Sequence, residues 1–504
     1  MSYQPARVRR GPRQGSSGFG RPQSYSRLAV TDGLLLLGIG AMLSGLGGAF
    51  DDRGDAVALV ITGLLATGIG VLGHRSLERR HRPAPGRVLG GLALTWLVLV
   101  VIGTGIYLVT GGIGRVDDAL VESAAGFSST NLTTVNHDEL SVAVQLWRAA
   151  TQWIGGLLGI LAGVVALPLA LRGTIRTSDD PRDTGVRIAP TATIGRRRIL
   201  TIYATLTAVL AVAYAIVGLS PRISVIHALT TISTGGFSSE PDSFAGLGTG
   251  ARLVAVIGMT IAGTSYVVMW WAIRGRIEPV WRSTELRAYL GILAGGSLVV
   301  FLFADGIAAT DAIFTTVSAV TTTGFAVNDW TVLDGSVLMV LLMLVATGAM
   351  SGGAGGGLHV ARAWMLLGFS SRELRRQLDP QSVVVVKQSG TPIDEGTLEG
   401  MTGYQIAHLG LCALAAVVLA AAGLGVIDAL YTGISVLSTF GPGVGPGAFG
   451  DLGDFSAPAR VLLVPFMLAG RLSVLPLLLG LAWLVRVRRS VQRRSRRLAR
   501  AVRR

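Results

Sequence analysis

Four short runs of hydroxyl and glycine residues interrupt a chain that is otherwise half apolar. They are Ser128-Ser129-Thr130-Asn131, Ser233-Thr234-Gly235-Gly236, Thr321-Thr322-Thr323-Gly324 and Ser438-Thr439-Phe440-Gly441. Their chemistry is oxygen coordination. Backbone carbonyls aimed at one axis can replace the water shell of a dehydrated alkali cation. Glycine supplies the unusual backbone angles that turn successive carbonyls inward. The candidate ligand positions are Thr130, Asn131, Gly235, Gly236, Thr323, Gly324, Phe440 and Gly441.

Each run closes a short amphipathic segment: 118-DALVESAAGFSSTNL-132, 223-ISVIHALTTISTGGF-237, 311-DAIFTTVSAVTTTGF-325 and 428-DALYTGISVLSTFGP-442. About ten residues precede each polar end. A helix rises about 1.5 Å per residue, so such a segment cannot cross a hydrocarbon layer of about 30 Å. It fits a re-entrant helix that stops midway. Asp118, Asp311 and Asp428 share the first column, where an acid favours the positive end of the helix dipole; the second unit has Ile223 there. The dipole's negative end then points at mid-membrane. A lone Thr-Gly would read as an ordinary loop. Four in register, each between two long apolar helices, read as one ring. Non-helical backbone at that depth is tolerated only inside protein or along a wet cavity.

The rest of the chain supplies the setting. It has 504 residues, 50% hydrophobic and 14% charged, with mean hydropathy +0.57. Two spans, near 28–50 and 56–74, precede the four repeats. The net charge of +15 comes from six basic clusters, Arg7–Arg27, Arg75–Arg87, Arg172–Arg198, Arg274–Arg287, Arg362–Lys387 and Arg486–Arg504, which hold 37 of the 44 Lys and Arg. An even number of passes separates successive clusters, so both termini are expected in the cytoplasm by the positive-inside pattern. That spacing argues against nucleic acid as the partner of the basic charge; the C-terminal run suits anionic lipid. Asp51, Asp52, Asp55, Asp117 and Glu240 fall on the opposite face. Residues 1–24 are basic and rich in Gly, Ser and Pro, and read as a disordered tail. The single Cys412 excludes a disulfide framework. No nucleophile–base arrangement or phosphate loop points to an enzyme.

Further residues stand out. Six glycines between 348 and 357 break the apolar segment 335–370. Small-residue helix packing is one reading; a flexible intramembrane gate built on Gly352, Gly353, Gly355, Gly356, Gly357 and His359 is the other. Arg471 lies deep in the last apolar span. It either caps carbonyls at a helix break or sets a positive barrier under the filter. Arg148 reads as snorkelling or structurally paired. His227, on the second short segment, reads as packed, and His137, Asp138 and Glu139 lack the spacing of metal ligands. The segment 379-DPQSVVVVKQSGTPIDEG-396 suggests a hairpin.

These motifs, with 148-RAATQWIGGLLGI-160, GAMSGGAGGGLHVAR at 348–362, TFGPGVGPG at 439–447 and MLAGRLSVLPLL at 467–478, resemble the Trk/Ktr/HKT superfamily of potassium transporters. The closest likeness is to its ten-span, TrkH-type members. The resemblance implies an all-α polytopic membrane protein of four membrane–pore–membrane repeats in pseudo-fourfold array plus two N-terminal helices. On that plan residues 1–27 are a tail, 28–87 the two extra helices, 88–175, 176–281, 282–378 and 400–486 the repeats, 379–399 a linker and 487–504 a basic tail. It implies uptake of potassium as the transported ion through the inner (cytoplasmic) membrane, no organic cofactor, a homodimer, and a cytosolic nucleotide-binding ring of the TrkA type. The sequence departs from the family at Asn131, where most potassium-selective members have Gly; at His359, where Lys is usual; and at Ser473, where many have Glu. Asn tolerates left-handed angles and is expected to adopt one here. Relatives with a non-Gly residue at this place tend towards sodium, so a sodium-permeable or weakly selective protein of the same fold is the nearest alternative. An alternating-access carrier of an organic solute is the alternative from another class, but such folds favour inverted repeats.

Overall fold

The computed structural model describes residues 24–75, 85–135, 140–166, 192–328, 330, 333–381, 384–389, 391–393, 395–442, 451–453 and 455–472. The first helix starts at Ser24, inside the stretch expected to be tail. The C-terminal tail, Ser473 and the 137–139 cluster lie outside the described residues.

Among those residues the helices are α1 Ser24–Gly47, α2 Arg53–Arg75, α3 Pro85–Val109, α4 Val116–Ser128, α5 Val142–Leu161, α6 Ala192–Ile216, α7 Pro221–Ile232, α8 Thr249–Ala262, α9 Tyr266–Ile273, α10 Ile277–Arg282, α11 Thr284–Phe303, α12 Ala309–Thr321, α13 Gly335–Thr347, α14 Val360–Leu378, α15 Glu395–Ala421, α16 Val426–Leu437 and α17 Ala457–Leu472. Seven are long and apolar enough to cross a membrane alone. The repeat plan is visible in the order long, short, long. The short helices α4, α7, α12 and α16 have 12 or 13 residues and carry the four hydroxyl runs at their C-terminal ends.

The extra pair α1 and α2 cross through small residues. A Cβ on Gly38 would come 2.6 Å from the Gly63 carbonyl oxygen, and one on Gly63 2.7 Å from that of Gly38. Without a hydrophobic drive between helices in lipid, such close backbone approach supplies the packing. α1 in turn packs on α3 and α5.

Two second helices are broken, and the two breaks meet. α13 ends at Thr347 and α14 starts at Val360, as the glycine run requires. α8 and α9 bend by 100° at residues 263–265, which the sequence reading missed. The 348–357 loop docks on that bend. Met350 N–H donates to Gly263 O (3.1 Å), Ala354 N–H to Ala262 O (3.0 Å), and Tyr266 N–H to Gly352 O (3.0 Å). Each break thus satisfies backbone groups the other leaves open.

The acids at the pore-helix starts do more than face a dipole. Asp311 pairs with Arg252 (3.1 Å) and Asp118 with Arg460 (2.7 Å). The two arginines occupy matching places in α8 and α17, and each also caps carbonyls of the loop before its own helix. Repeat two is therefore clamped to repeat three, and repeat four to repeat one. The hairpin expected in 379–396 is present as β1 Lys387–Gln388 and β2 Thr391–Pro392.

Candidate functional site

The four short helices end alike. Ser129, Thr234, Thr322 and Thr439 all have left-handed φ, between 50° and 56°. Each donates its N–H three residues back, and the next residue donates five back: Thr130 to Ala125, Gly235 to Thr230, Thr323 to Ser318, Phe440 to Ser435, all at 2.9–3.0 Å. This is the Schellman closure of a helix, built here on non-glycine residues. It turns four amides into their own helices. Among the described residues no donor reaches the carbonyl oxygens of Ser129, Thr234, Thr322 or Thr439. All four residues are essentially fully buried. Buried carbonyls almost always have a partner, and four open ones at one register are an arrangement that can coordinate a cation.

One residue further on from the closing amides, three loops carry glycine at positive φ: Gly236 (82°), Gly324 (87°) and Gly441 (106°). Each lies under a carbonyl of the neighbouring loop. A Cβ on Gly324 would stand 2.7 Å from Phe440 O. One on Gly236 would overlap Thr323 O, and one on Gly441 would overlap Asn131 O. The contacts run from loop two to three, three to four and four to one. Gln152 closes the ring between one and two. Its Nε2 donates to Gly235 O (2.7 Å) and, at 3.5 Å, to Thr130 O; its Oε1 accepts from Phe237 N–H (3.0 Å). The structure thus brings all eight candidate positions together, with the Gly235 carbonyl turned to Gln152.

Asn131 departs from expectation. It is not among the residues with positive φ, so the first corner does not copy the glycine geometry. Its backbone N–H donates to Phe440 O (3.1 Å), and its side-chain amide reaches Gly324 O (2.7 Å). Its Cβ lies against the inner faces of Gly236 and Gly324, 2.8 Å from where a Cβ on either would stand. The amide therefore holds a carbonyl of the third loop.

A charged strut backs this corner. Arg148 is fully buried, its Nε 2.6 Å from Glu122 Oε1, and its guanidinium lies 4.4 Å from the Phe237 ring. Arg148 Nη2 also donates to Thr133 Oγ1 (3.0 Å), which donates to Glu122 Oε2 (3.1 Å). Thr134 N–H donates to the same carboxylate (3.2 Å). Arg148 is thus paired and does not snorkel. An uncompensated charge there would cost about 3–5 kcal/mol, which explains the completeness of the network. With the four short segments aligned, Glu122 shares a column with His227, Thr315 and Thr432. His227, in that same column, is packed edge-on to Phe244 (4.7 Å) and Phe325 (5.8 Å).

Beneath the ring sits the glycine loop. Gly356 N–H donates to Thr322 Oγ1 (2.7 Å). A Cβ on Gly355 would come 2.5 Å from Thr321 O, and one on Gly356 would overlap Ser438 O and Thr439 Oγ1. Only glycine allows this approach to the third and fourth loops. Arg471 holds the loop from the other side, donating to Ala354 O (2.8 Å), Gly155 O (3.1 Å) and Gly156 O (2.9 Å). This is the carbonyl-capping reading of Arg471, and one of the capped carbonyls belongs to the loop. His359 has φ 66° where α14 begins.

Comparison with known proteins agrees with this geometry. The TrkH cation transport protein family matches residues 89–294 and 280–486. A Trk system potassium uptake protein TrkH of Halomonas elongata is 29% identical over 436 residues, covering 83% of this chain and 89% of the relative. The protein of the same name from Vibrio parahaemolyticus is 30% identical over 413 residues, covering 77% and 83%. The crystal structure of the potassium transporter TrkH from Vibrio parahaemolyticus superposes with TM-score 0.80 at 26% identity, covering 90% of this chain and 98% of that one.

Proposed function

The chain belongs to the TrkH family of cation transport proteins, and from that premise we propose that it takes up potassium through the four-loop ring, with the 348–357 loop as its gate. The open carbonyls of Ser129, Thr234, Thr322 and Thr439 carry this reading. Thr130, Asn131, Gly235, Gly236, Thr323, Gly324, Phe440 and Gly441 form the rest of the filter. Movement is driven by an inside-negative potential, worth about 2.3 kcal/mol per charge per 100 mV. The protein sits in the cytoplasmic membrane with both termini inside. It works as a homodimer under a cytosolic nucleotide-binding ring of the TrkA type. Four repeats of one orientation favour a pore over alternating access. The test is growth of a potassium-uptake-deficient bacterium at low potassium with sodium varied. Rescue at low potassium is expected; growth no better than the empty strain contradicts the proposal.

One observation favours weak discrimination against sodium. The Asn131 amide occupies Gly324 O, so an entering ion must displace it, and the four corners are unequal. Asn131→Gly frees that carbonyl. The potassium-to-sodium ratio is expected to rise about tenfold, which needs only about 1.4 kcal/mol between the ions. Reversal potentials under bi-ionic conditions read this directly. A natural protein already strongly selective, and unmoved by the substitution, would confine Asn131 to closing its turn.

A further inference from the structure

We infer that Glu285 is a second charged clamp on the gating loop, and that the 387–392 hairpin reaches the loop through it. Arg471 holds the loop by a carbonyl, Ala354 O. Glu285 holds it by an amide: Oε1 accepts the Ser351 N–H at 2.6 Å. A cation on a C=O and an anion on an N–H, three residues apart, fix both polarities of the loop backbone. Charge-assisted bonds of this kind are roughly twice as strong as neutral ones.

In sequence Glu285 looks like an ordinary first-turn acid facing a helix dipole. Its Oε1, however, accepts from an amide 66 residues away. α11 is capped independently, by Ser283 Oγ accepting from Leu286 N–H (3.2 Å). The helix end therefore does not depend on this carboxylate, whose Oε1 reaches the loop.

The residue bonded to Glu285 is in turn held by the hairpin. Thr284 N–H donates to Ser389 Oγ (3.3 Å), and Ser389 N–H donates to Thr284 Oγ1 (3.2 Å). Ser389 sits at the hairpin turn with φ 48°. The two strands have two residues each, so the hairpin has little local stability of its own and can respond to a load. A pull on it displaces Thr284, and Glu285 with it.

This inference rests on the loop being the gate, and the experiment separates the two. Isotope uptake is measured in liposomes holding the full chain, for the natural protein, Glu285→Ala, Glu285→Gln, Ser389→Gly, the deletion of Gly352 to Gly356, and combinations. Ser389→Gly removes the hydroxyl while keeping the left-handed backbone. Glu285→Ala is expected to raise flux roughly tenfold, the scale of one charge-assisted hydrogen bond, with the potassium-to-sodium ratio unchanged. Glu285→Gln, which keeps an acceptor, should lie nearer the natural rate. Ser389→Gly should raise flux and add nothing on top of Glu285→Ala; neither should add to the deletion. Unchanged flux in Glu285→Ala, with the deletion raising it, overturns the clamp and leaves the gate standing. Additive effects of Ser389→Gly and Glu285→Ala overturn the hairpin route. A deletion without raised flux overturns the gate and this inference together.

Discussion

Gly324→Ser and Gly441→Ser are expected to abolish potassium uptake while the protein still inserts. Two effects act at once. The φ values of 87° and 106° lie where a side chain is strained, at about 1–3 kcal/mol each. The added Cβ also presses on a neighbouring loop's carbonyl, Phe440 O at 2.7 Å for Gly324 and Asn131 O for Gly441. Relief requires the carbonyl to move, and that carbonyl belongs to the ring. A loss of about 3 kcal/mol in ion binding corresponds to roughly a hundredfold. The substitutions lie far from the insertion-determining spans, so surface yield and detergent monodispersity should be unchanged. The check is isotope uptake normalised to protein in the membrane. Natural rates in both variants would remove these glycines from the conduction path.

The second large effect runs in the opposite direction. Deleting Gly352 to Gly356 removes the backbone that packs under Thr321, Thr322, Ser438 and Thr439, and with it the contact of Arg471 on Ala354. Flux is expected to rise about tenfold or more, since at least one charge-assisted bond and one hydroxyl bond no longer hold the path shut. Seven residues remain between α13 and α14, enough to span about 23 Å when extended. Selectivity should persist because the ring above is untouched. Arg471→Ala should raise flux in the same sense, by freeing the loop and lowering the positive barrier. A deletion variant that folds and conducts less would mean that the glycines serve helix packing.

Much of this site could be read from the chain because its signals are local. The short helices announce themselves by about ten residues and a hydroxyl run, three of them also by an acid at the start. The break after Thr347 follows from glycine content alone. What stayed hidden depends on residues distant in sequence. Nothing in Ser129, Thr234, Thr322 or Thr439 marks a left-handed residue, because serine and threonine are unremarkable at helix ends and the angle is imposed by the Schellman closure. Asn131 tolerates the left-handed region by its own propensity, yet it does not take it. The matching arginines of α8 and α17, which serve Asp311 and Asp118, are 59 and 342 residues away from those acids. Arg148 is buried because Glu122 is, and neither residue predicts the other at a separation of 26. The bend at 263–265 has a glycine signal too weak to separate from ordinary tolerance in a membrane helix.

The most direct measurement is paired uptake of potassium and sodium isotopes into liposomes containing only this chain, with Gly441→Ser as the parallel sample. The expected result is saturable potassium uptake that exceeds sodium uptake modestly, by less than about tenfold, and that is lost in Gly441→Ser. Uptake of neither ion, or equal uptake by the natural chain and the variant, would contradict conduction through the four-loop ring.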